Sequence, residues 1–549
     1  MFARVWQHPW GRAGLLLSAF SAITVALAAP WSLHPGSRLV ADHPDVHLFV
    51  WTLAWDAHAF LTQPLHLFDA NTFYPFGNSL AYSENLIGSA IFSAPIQWIT
   101  GNPVLALNLV QMLTVVLSGL GAYRLGRSLG LSQPASIVAG VVFAFAPPRF
   151  VRMGQLHLTA IQWIPFVLAS LIDYLNGGRR RDVLWACGFA TLEALSSGHG
   201  AVFLLVSVVL LLAYRAVLRE PLRVGQWLRD VGAAGVLLLA PAVLVFVPYL
   251  RAQREVGLVR SLENWEAHRD SFLASTSLVD QWLLSLATTH DFTREATAWL
   301  FPGFLPLLLA GVALARPVRA RMPFYFLTLV VVCVLMMTGG PLSLWPHLYA
   351  LPGFSFIRVP SRFGILAMLG VAMLAAAGLQ QLIERRPSRR AWAIALGCCG
   401  LLLGEFSSAP QPGAAVSVEA PAIDRWVANL PPDASLAELP VPNPRHAGPF
   451  ERHQTTAMLH AMAHWRPIVQ GYSGIRPALQ LDILTALTAF PDPLSLHLLT
   501  QARVDYLLIH TDRYPEGAWS GVQARIEAEP RLRLVHVEGE GRIYQLLPP

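Results

Sequence analysis

The sequence predicts a mostly α-helical, polytopic membrane protein: a bundle of about eleven transmembrane helices followed by a small extracytoplasmic α/β or α+β domain. Hydrophobic residues make up 54% of the 549 residues. Charged residues make up only 13%, against roughly 25% in a typical soluble domain. Long apolar runs recur up to residue 407, whereas the chain beyond residue 408 is rich in Pro, His and charge. The chain therefore divides into a membrane domain, 1–407, and a C-terminal domain, 408–549.

The predicted spans follow from apolar length and from arginine placement. A spanning helix needs about 20 mostly apolar residues, and cytoplasmic loops are enriched in Lys and Arg. A cytoplasmic N-terminus places arginine-rich loops such as "YRAVLREPLRVGQWLRD" and "ARPVRARMP" on the cytoplasmic side. The spans are then 13–33, 103–123, 133–148, 156–176, 182–197, 199–218, 231–250, 299–315, 322–340, 363–383 and 391–407.

Two segments allow a second interpretation. The first apolar run follows Arg4 and Arg12 and ends in "ALAAP", which is also typical of a signal peptide, although the many later spans favour an uncleaved helix. Counting 85–101 as a span would invert every later loop, so we predict that it is an interfacial helix on the outer face. The outer regions are then 34–102, 251–298 and 341–362, together with the C-terminal domain.

The C-terminal domain contains four strand-like runs, which predict a small sheet. They are "SLAELPV", "VDYLLIH", "RLRLVHV" and "GRIYQLL". The four cysteines all lie in apolar segments, so neither a disulfide framework nor a CxxC metal site is expected. The net charge of +6 forms no basic, aromatic-interleaved patch, so no nucleic-acid partner is expected. The sequence also lacks a GxSxG elbow, a P-loop and a Rossmann fingerprint.

The first outer loop, 34–102, begins with the acid-rich stretch "ADHPDVHLFVWTLAWDAH". Asp42 and Asp45 would share a face of a helix, and a carboxylate near the membrane surface can act as a general base. Pro44 indicates that a helix starts there, so Asp42 is alternatively a helix cap. Residues 46–67 predict an amphipathic helix interrupted at Pro64. Asp56 fits the polar side of that helix.

Glu84 is the third candidate catalytic acid, because it opens the predicted interfacial helix. Its alternative role is to stabilise the helix dipole. A divalent cation could bind Asp42 and Asp45 with His43 and His47, although these residues do not form a tight signature such as HExxH.

Candidate phosphate-binding and substrate-binding groups lie near the outer ends of the predicted spans. Arg358 and Arg362 precede a span in "FIRVPSRF", and a guanidinium matches phosphate oxygens. Their alternative role is interfacial snorkelling. Further polar groups at this depth either line a cavity or tie helices together. They are Arg149, Arg152, His157, Gln162 and His199, with Glu193 inside the span 182–197.

The C-terminal stretch "TTAMLHAMAHWRPIVQGYSG" brings aromatic and basic residues together. His464, Trp465, Arg466 and Tyr472 suit contact with a sugar or acceptor. A packed turn of the domain is the alternative.

These features together resemble the GT-C superfamily, the membrane glycosyltransferases that use polyprenyl-phosphate sugars, such as protein mannosyltransferases and oligosaccharyltransferases. "DHPDVHLF" is similar to the Asp-Glu-x-His-Phe motif of the mannosyltransferases, but the second acid is displaced. "FYPFGNSLAYSENLIG", "GNPVLALNLVQMLTVVLSGLGAYRLGRSLG", "IRVPSRF" and "HWRPIVQGYSG" resemble a poorly characterised bacterial group. In the superfamily, an acid early in the first outer loop is the catalytic base or a metal contact.

The resemblance implies an inverting transfer of a sugar from a polyprenyl-phosphate donor to a glycan, lipid or protein acceptor. The lipid-linked sugar is the co-substrate, and membrane lipids are further partners. The implied location is the bacterial inner membrane. Two alternatives remain: a lipid or solute transporter or flippase, although no internal repeat is visible, and a non-catalytic scaffold with the same fold.

Overall fold

The computed structural model of the protein describes residues 9–218, 224–256, 262, 265–315, 322–351, 354 and 357–548. Several expectations fall partly outside these residues. They are the role of Arg4, the arginine-rich loops 214–230 and 315–323, and parts of the outer regions 251–298 and 341–362.

The first half of the chain contains α1 Pro9–Leu27, α2 Pro44–Thr62, α3 Ile87–Thr100, α4 Pro103–Ser128, α5 Gln133–Phe145, α6 Pro147–Phe150, α7 Leu156–Thr159, α8 Trp163–Gly177, α9 Arg180–Ser196, α10 Gly198–Val217 and α11 Val224–Val256. The second half contains α12 Leu278–Ala287, α13 Phe304–Ala315, α14 Met322–Met337, α15 Trp345–Tyr349, α16 Phe363–Ile383, α17 Ser388–Glu405, α18 Ala422–Trp426, α19 Ala447–His460, α20 Ala478–Ala486, α21 Pro493–Gln501 and α22 Ala518–Glu527.

Every predicted span overlaps one of these helices. Four helical segments of the described residues are long and apolar enough to cross a membrane: Pro103–Ser128, Leu156–Gly177, Gly198–Val217 and Pro360–Ile383. Several shorter apolar helices coincide with other predicted spans, among them Gly11–Leu27, Gln133–Phe145 and Phe304–Ala315. The total of about eleven spans stays a prediction.

The chain forms two compact units. Unit 1 comprises Met1–Pro35, Asn108–Leu244 and Arg260–Pro412. Unit 2 comprises Gly36–Leu107, Val245–Val259 and Gly413–Pro549. This grouping differs from the predicted boundary at 407/408, because most of the first outer loop belongs to the same unit as the C-terminal segment.

In unit 1, the helix α16 is buried along almost its whole length and packs against α5, α13 and α14. Two glycines permit this close packing. A Cβ at Gly378 would lie 1.8 Å from the Leu309 carbonyl oxygen, and one at Gly370 would lie 2.9 Å from the Phe326 carbonyl oxygen. Small residues of this kind let helix backbones approach each other closely.

In unit 2, the predicted amphipathic helix is α2, but the structure buries it on all sides between Val46 and Ala57. The reason is that α3 and α19 both pack against it. The Gln97 side chain donates a hydrogen bond to the Leu53 carbonyl at 2.9 Å, which ties α3 to α2. With 14 residues, α3 is about 21 Å long, and its interfacial position stays a prediction.

The four strand-like runs of the C-terminal segment form the strands of one sheet. The strands are β3 Leu436–Leu439, β4 Tyr506–His510, β5 Leu532–Glu538 and β6 Gly541–Leu546, in the order β3-β4-β6-β5. β3 and β4 are parallel, and the other pairs are antiparallel. A short antiparallel pair joins β1 Arg38–Leu39 to β2 Ala414–Ala415 within the same unit.

Candidate active site

The acidic stretch of the first outer loop lies at the N-terminus of α2. The residue that caps this helix is His43, whose side chain accepts a hydrogen bond from the Asp45 backbone N–H at 3.2 Å. Pro44 occupies the first turn, where its missing N–H carries no penalty. The expectation that Asp42 caps the helix is therefore wrong, and its carboxylate is engaged by other groups.

Asp42 lies between two basic side chains of unit 2. Its Oδ2 accepts a hydrogen bond from the Arg452 guanidinium at 2.5 Å, and its Oδ1 lies 3.1 Å from His47 Nε2. Burial lowers the pKa of His47, and this effect outweighs the opposing influence of Asp42, so the imidazole is neutral near pH 7. The Asp42 side chain is still 42% exposed, which leaves it accessible from solvent.

Asp45 is held by a tyrosine from the C-terminal segment. The Tyr472 hydroxyl donates a hydrogen bond to Asp45 Oδ1 at 2.8 Å. Burial, and then the negative charge of Asp45, raises the pKa of Tyr472, so the phenol remains a donor. Asp45 Oδ2 lies 3.9 Å from His43 Nδ1, and the side chain is 35% exposed. The structure therefore presents an oriented carboxylate that solvent can reach.

Tyr472 is positioned by close packing of the loop against the C-terminal segment. The Phe73 and Tyr74 backbone N–H groups donate to the Gln470 and Ile468 carbonyls at 3.1 and 3.0 Å. A Cβ at Gly471 would lie 2.5 Å from the Phe73 ring, so only glycine fits without displacing the ring. These contacts fix the backbone immediately before Tyr472.

Glu84 is buried beside Tyr249, whose hydroxyl organises the surrounding backbone. That hydroxyl donates to the Ser83 carbonyl at 3.0 Å and accepts from the Asn85 backbone N–H at 2.9 Å. The cap of α3 is Leu86, so Glu84 precedes the helix and is not part of its first turn. The helix-dipole alternative is therefore wrong for Glu84.

The other predicted residues of the C-terminal segment pack against neighbouring residues of unit 2. The Trp465 ring stacks on His58, with ring centres 4.4 Å apart. The Arg466 guanidinium donates to the carbonyls of Ala428, Leu430 and His464. Burial lowers the pKa of His464 to about 4. The geometry thus favours the packed-turn alternative for His464, Trp465 and Arg466, whereas Tyr472 contacts a candidate base.

In unit 1, the structure brings together three of the predicted phosphate-binding or substrate-binding groups. Arg362 Nη1 lies 2.6 Å from His199 Nε2, and the His199 ring centre lies 5.2 Å from that of His157. Ser197 caps α10 and donates its hydroxyl hydrogen to the His157 carbonyl at 2.6 Å. The result is a compact group of one guanidinium and two imidazoles.

The remaining predicted arginines have different environments. Arg149 is fully buried and donates to the Ser118 hydroxyl at 2.5 Å and to the Thr159 carbonyl at 3.0 Å, which ties helices together. Arg152 donates to the Gln155 side chain at 3.3 Å, and Arg358 is exposed. Glu193, for which the sequence names no partner, accepts from the Trp163 backbone N–H at 3.1 Å.

The described residues contain two groups of three potential metal ligands whose ligand atoms all lie within 4.8 Å of one another. They are His268, Asp270 and Glu295, which are largely exposed, and Asp424, Glu438 and His510, which are buried. The predicted set of Asp42, His43, Asp45 and His47 is neither of these. Arg452 occupies one oxygen of Asp42, and His43 serves as a helix cap.

Two residues that hold the first-loop carboxylates were missed by the sequence analysis or assigned another role. Arg452 has no motif around it and contacts Asp42 across 410 positions of the chain. Tyr472 was singled out for acceptor binding, yet it contacts Asp45 across 427 positions. No local pattern predicts a contact of this kind.

Solved structures similar to this chain include GT-C glycosyltransferases. The arabinofuranosyltransferase AftD from Mycobacteria is 17% identical, with a TM-score of 0.59, and the match covers 97% of this chain but only 40% of AftD. The oligosaccharyltransferase of Archaeoglobus fulgidus is 14% identical, with a TM-score of 0.53, over 92% of this chain and 70% of that one. At these identities the similarity establishes the GT-C fold.

No curated protein matches the sequence. The family described as a domain of unknown function, DUF6311, matches residues 47–349, which is more than half of the 549 residues. The chain therefore belongs to the DUF6311 family, and it has the GT-C fold.

Proposed function

We propose that the protein is a membrane glycosyltransferase that moves a sugar from a polyprenyl-phosphate donor to a glycan, lipid or protein acceptor. The reaction takes place on the extracytoplasmic face of the bacterial inner membrane, with the N-terminus in the cytoplasm. The observation that carries the proposal is the accessible Asp45 carboxylate, oriented by Tyr472 in a chain with the GT-C fold.

In the proposed reaction, Asp45 accepts the proton of an acceptor hydroxyl or amine. The acceptor atom attacks the anomeric carbon, and the bond from that carbon to the phosphate oxygen breaks. Polyprenyl phosphate leaves with the bonding electrons, and the anomeric configuration inverts. General base catalysis of this kind contributes about 10²- to 10⁴-fold to rate.

Asp45 suits the role of base better than Asp42. Both oxygens of Asp42 contact basic side chains, Arg452 and His47. Asp45 receives the Tyr472 hydrogen bond on Oδ1, and its Oδ2 has only the distant His43 contact among the described residues. Asp45 Oδ2 can therefore accept a proton, while Asp42 orients the start of α2 through its ion pair. Glu84, buried beside Tyr249, is proposed as a second candidate acid.

The leaving phosphate needs positive charge or hydrogen-bond donors. Within unit 1, Arg362, with His199 and His157 next to it, is a candidate for binding a lipid phosphate, because a guanidinium can bind two phosphate oxygens at once. The exposed Arg358 is a further candidate. Arg149 has a structural role, because its hydrogen bonds go to two neighbouring helices. Arg152 bonds locally to the Gln155 side chain.

No step is assigned to a divalent cation. The carboxylates Asp42 and Asp45 are engaged by Arg452 and Tyr472, and neither of the described metal-ligand groups includes them. Metal dependence of the transfer stays a prediction, which titration of Mg²⁺ or Mn²⁺ into the assay checks directly.

The test replaces Asp45 and Asp42 with Asn, and Glu84 with Gln, in protein reconstituted into liposomes with labelled lipid-linked sugars. Asp433→Asn is the matched control, since it removes an exposed carboxylate of the same unit. We expect Asp45→Asn to lower transfer by about 10²-fold or more at normal protein levels. Undiminished transfer in all three variants would rule out the mechanism.

The same liposomes separate the enzyme from its two alternatives. A transporter or flippase would move the labelled lipid between leaflets without forming a glycosylated acceptor. A non-catalytic scaffold would do neither. The GT-C fold of the chain favours the enzyme.

A further inference from the structure

A second polar cluster lies inside unit 2, on the parallel strands of the sheet. Glu438 on β3 pairs in register with Leu508 on β4, so Glu438 and His510 project from the same face. The opposite face carries Ala437, Leu439 and their apolar neighbours, which form the core of this unit. Both polar side chains lie at the carboxyl ends of parallel strands, where ligand sites commonly form.

The short helix α18 brings a third ligand onto this face. Ile423 packs directly on Gly541, where a Cβ would lie 2.5 Å from the Ile423 side chain, so the close approach requires glycine. The next residue, Asp424, then reaches the cluster. His510 Nε2 lies 3.1 Å from Glu438 Oε1 and 3.9 Å from Asp424 Oδ2.

The helix α19 adds two imidazoles. His460 Nδ1 lies 3.7 Å from Asp424 Oδ1, and His453 is buried on the same helix. Asp424 is 1% exposed, and the two histidines are 9% exposed. Asp424 Oδ2, His460 Nδ1 and His453 Nε2 make no hydrogen bond within the described part of the chain. Buried polar atoms in folded proteins are rarely left without a partner, so this cluster points to a missing one.

We propose that Asp424, Glu438 and His510 bind a zinc ion, with His460 as the fourth ligand. Ligand atoms at about 2.0–2.1 Å from a tetrahedral zinc lie roughly 3.3 Å apart. The separation of 3.1 Å between His510 Nε2 and Glu438 Oε1 is close to that value, and one ligand atom from each of Asp424, Glu438 and His510 lies within 4.8 Å of the others. His460 Nδ1 lies 3.7 Å from Asp424 Oδ1, the oxygen that does not face His510, and so approaches the cluster from the other side of that carboxylate. The pairing of two imidazoles with two carboxylates favours zinc over Mg²⁺ or Ca²⁺, which prefer oxygen ligands alone.

Arg513 also contacts this cluster, through Glu438. Its Nη1 lies 2.5 Å from Glu438 Oε1, a contact that could orient a metal-binding carboxylate from outside the ligand shell. Two carboxylates and one guanidinium leave a net charge of −1. A bound zinc ion compensates for this negative charge, and metal analysis tests whether one is present.

A zinc ion with four protein ligands is typical of a structural site. Here it would join the ends of β3 and β4 to α18 and α19. The ligands are distinct from Asp42 and Asp45, so the inference is independent of the proposed glycosyltransferase activity.

The test measures zinc in the full-length protein, purified in detergent and dialysed against metal-free buffer. We expect about one zinc per chain, a normal complement for a single structural site. We also expect at least a fivefold loss of zinc in Glu438→Gln and in His510→Gln. Asp42→Asn and Glu295→Gln are the controls and should retain the wild-type content, because they alter the first-loop acids and the exposed ligand group.

Cobalt substitution gives a readout that needs no variant. Wild-type protein loaded with Co²⁺ should show the strong visible absorption typical of a four-coordinate ion, and Zn²⁺ should abolish it by displacement. Wild-type protein that holds no zinc and shows no such absorption would overturn the proposal. Full zinc retention in both ligand variants would also overturn it.

Discussion

Replacing Gly471 with Ala should destabilise unit 2, because the added methyl group has no space. The built Cβ position lies 2.5 to 2.7 Å from three atoms of the Phe73 ring. Carbon atoms pack best at about 3.5–4.0 Å, so the ring must move by about 1 Å. Phe73 is 2% exposed, and its surroundings resist such a shift.

The magnitude follows from two opposing effects. Overpacking of a buried site costs about 1–3 kcal/mol. Replacing glycine with alanine where the backbone is unstrained stabilises by about 0.4–1 kcal/mol, through the unfolded chain. The net loss in the free energy of unfolding should therefore be about 1–2 kcal/mol. Because Tyr472 is the next residue, we also expect the hydrogen bond to Asp45 to weaken and sugar transfer to fall.

Urea-dependent proteolysis of the full chain in detergent measures the free energy of unfolding of this unit. Gly448→Ala is the matched control, since a Cβ there meets open space in α19, and it should be neutral or slightly stabilising. Phe73→Leu should relieve the clash, so the double variant should lose at least about 1 kcal/mol less than the sum of the single losses. A Gly471→Ala protein as stable as the wild type, or strict additivity with Phe73→Leu, would refute the packing argument.

Two further predictions concern buried charge in unit 2. Burial raises the pKa of Asp56 well above its usual value, and its carboxylate makes no hydrogen bond within the described residues. Its contribution to stability is therefore present below about pH 4 and is lost as the pH rises through the raised pKa. Asp56→Asn should raise the thermal midpoint at pH 8 more than at pH 5, and an equal change at both pH values would contradict this. Arg466→Lys should lower the free energy of unfolding by about 1–3 kcal/mol, because the single ammonium nitrogen of lysine cannot replace the separate guanidinium nitrogens that reach the three carbonyls, and unchanged stability would count against that role.

The sequence predicted the elements whose signal is local. Apolar runs of near-spanning length correspond to helices such as α4 and α16, because hydrophobic length is an explicit pattern. The strand-like runs correspond to β3 to β6, because a strand-like run is also a local pattern of the sequence. Pro44 correctly indicated the start of α2, but it could not distinguish Asp42 from His43 as the cap, because both lie within two residues before the proline.

The sequence did not predict side-chain contacts with backbone carbonyls or charges that are distant along the chain. Arg466 was predicted to contact a sugar or acceptor, yet it bonds to backbone carbonyls, two of which are 36 and 38 positions earlier in the chain. The all-round burial of α2 was also hidden, because it depends on α19, which begins almost 400 residues later. Residue type and spacing along the chain do not indicate such contacts.

The same long-range contacts change the role of the C-terminal segment. The helix α2 fixes the backbone of Asp45, but a side chain that is not held keeps rotamer freedom worth up to about 2 kcal/mol. Arg452 and Tyr472 supply the restraint on Asp42 and Asp45 from positions 410 and 427 residues further along the chain. The C-terminal segment therefore acts on the candidate base directly, by orienting it, and any acceptor-binding role would come in addition to that one.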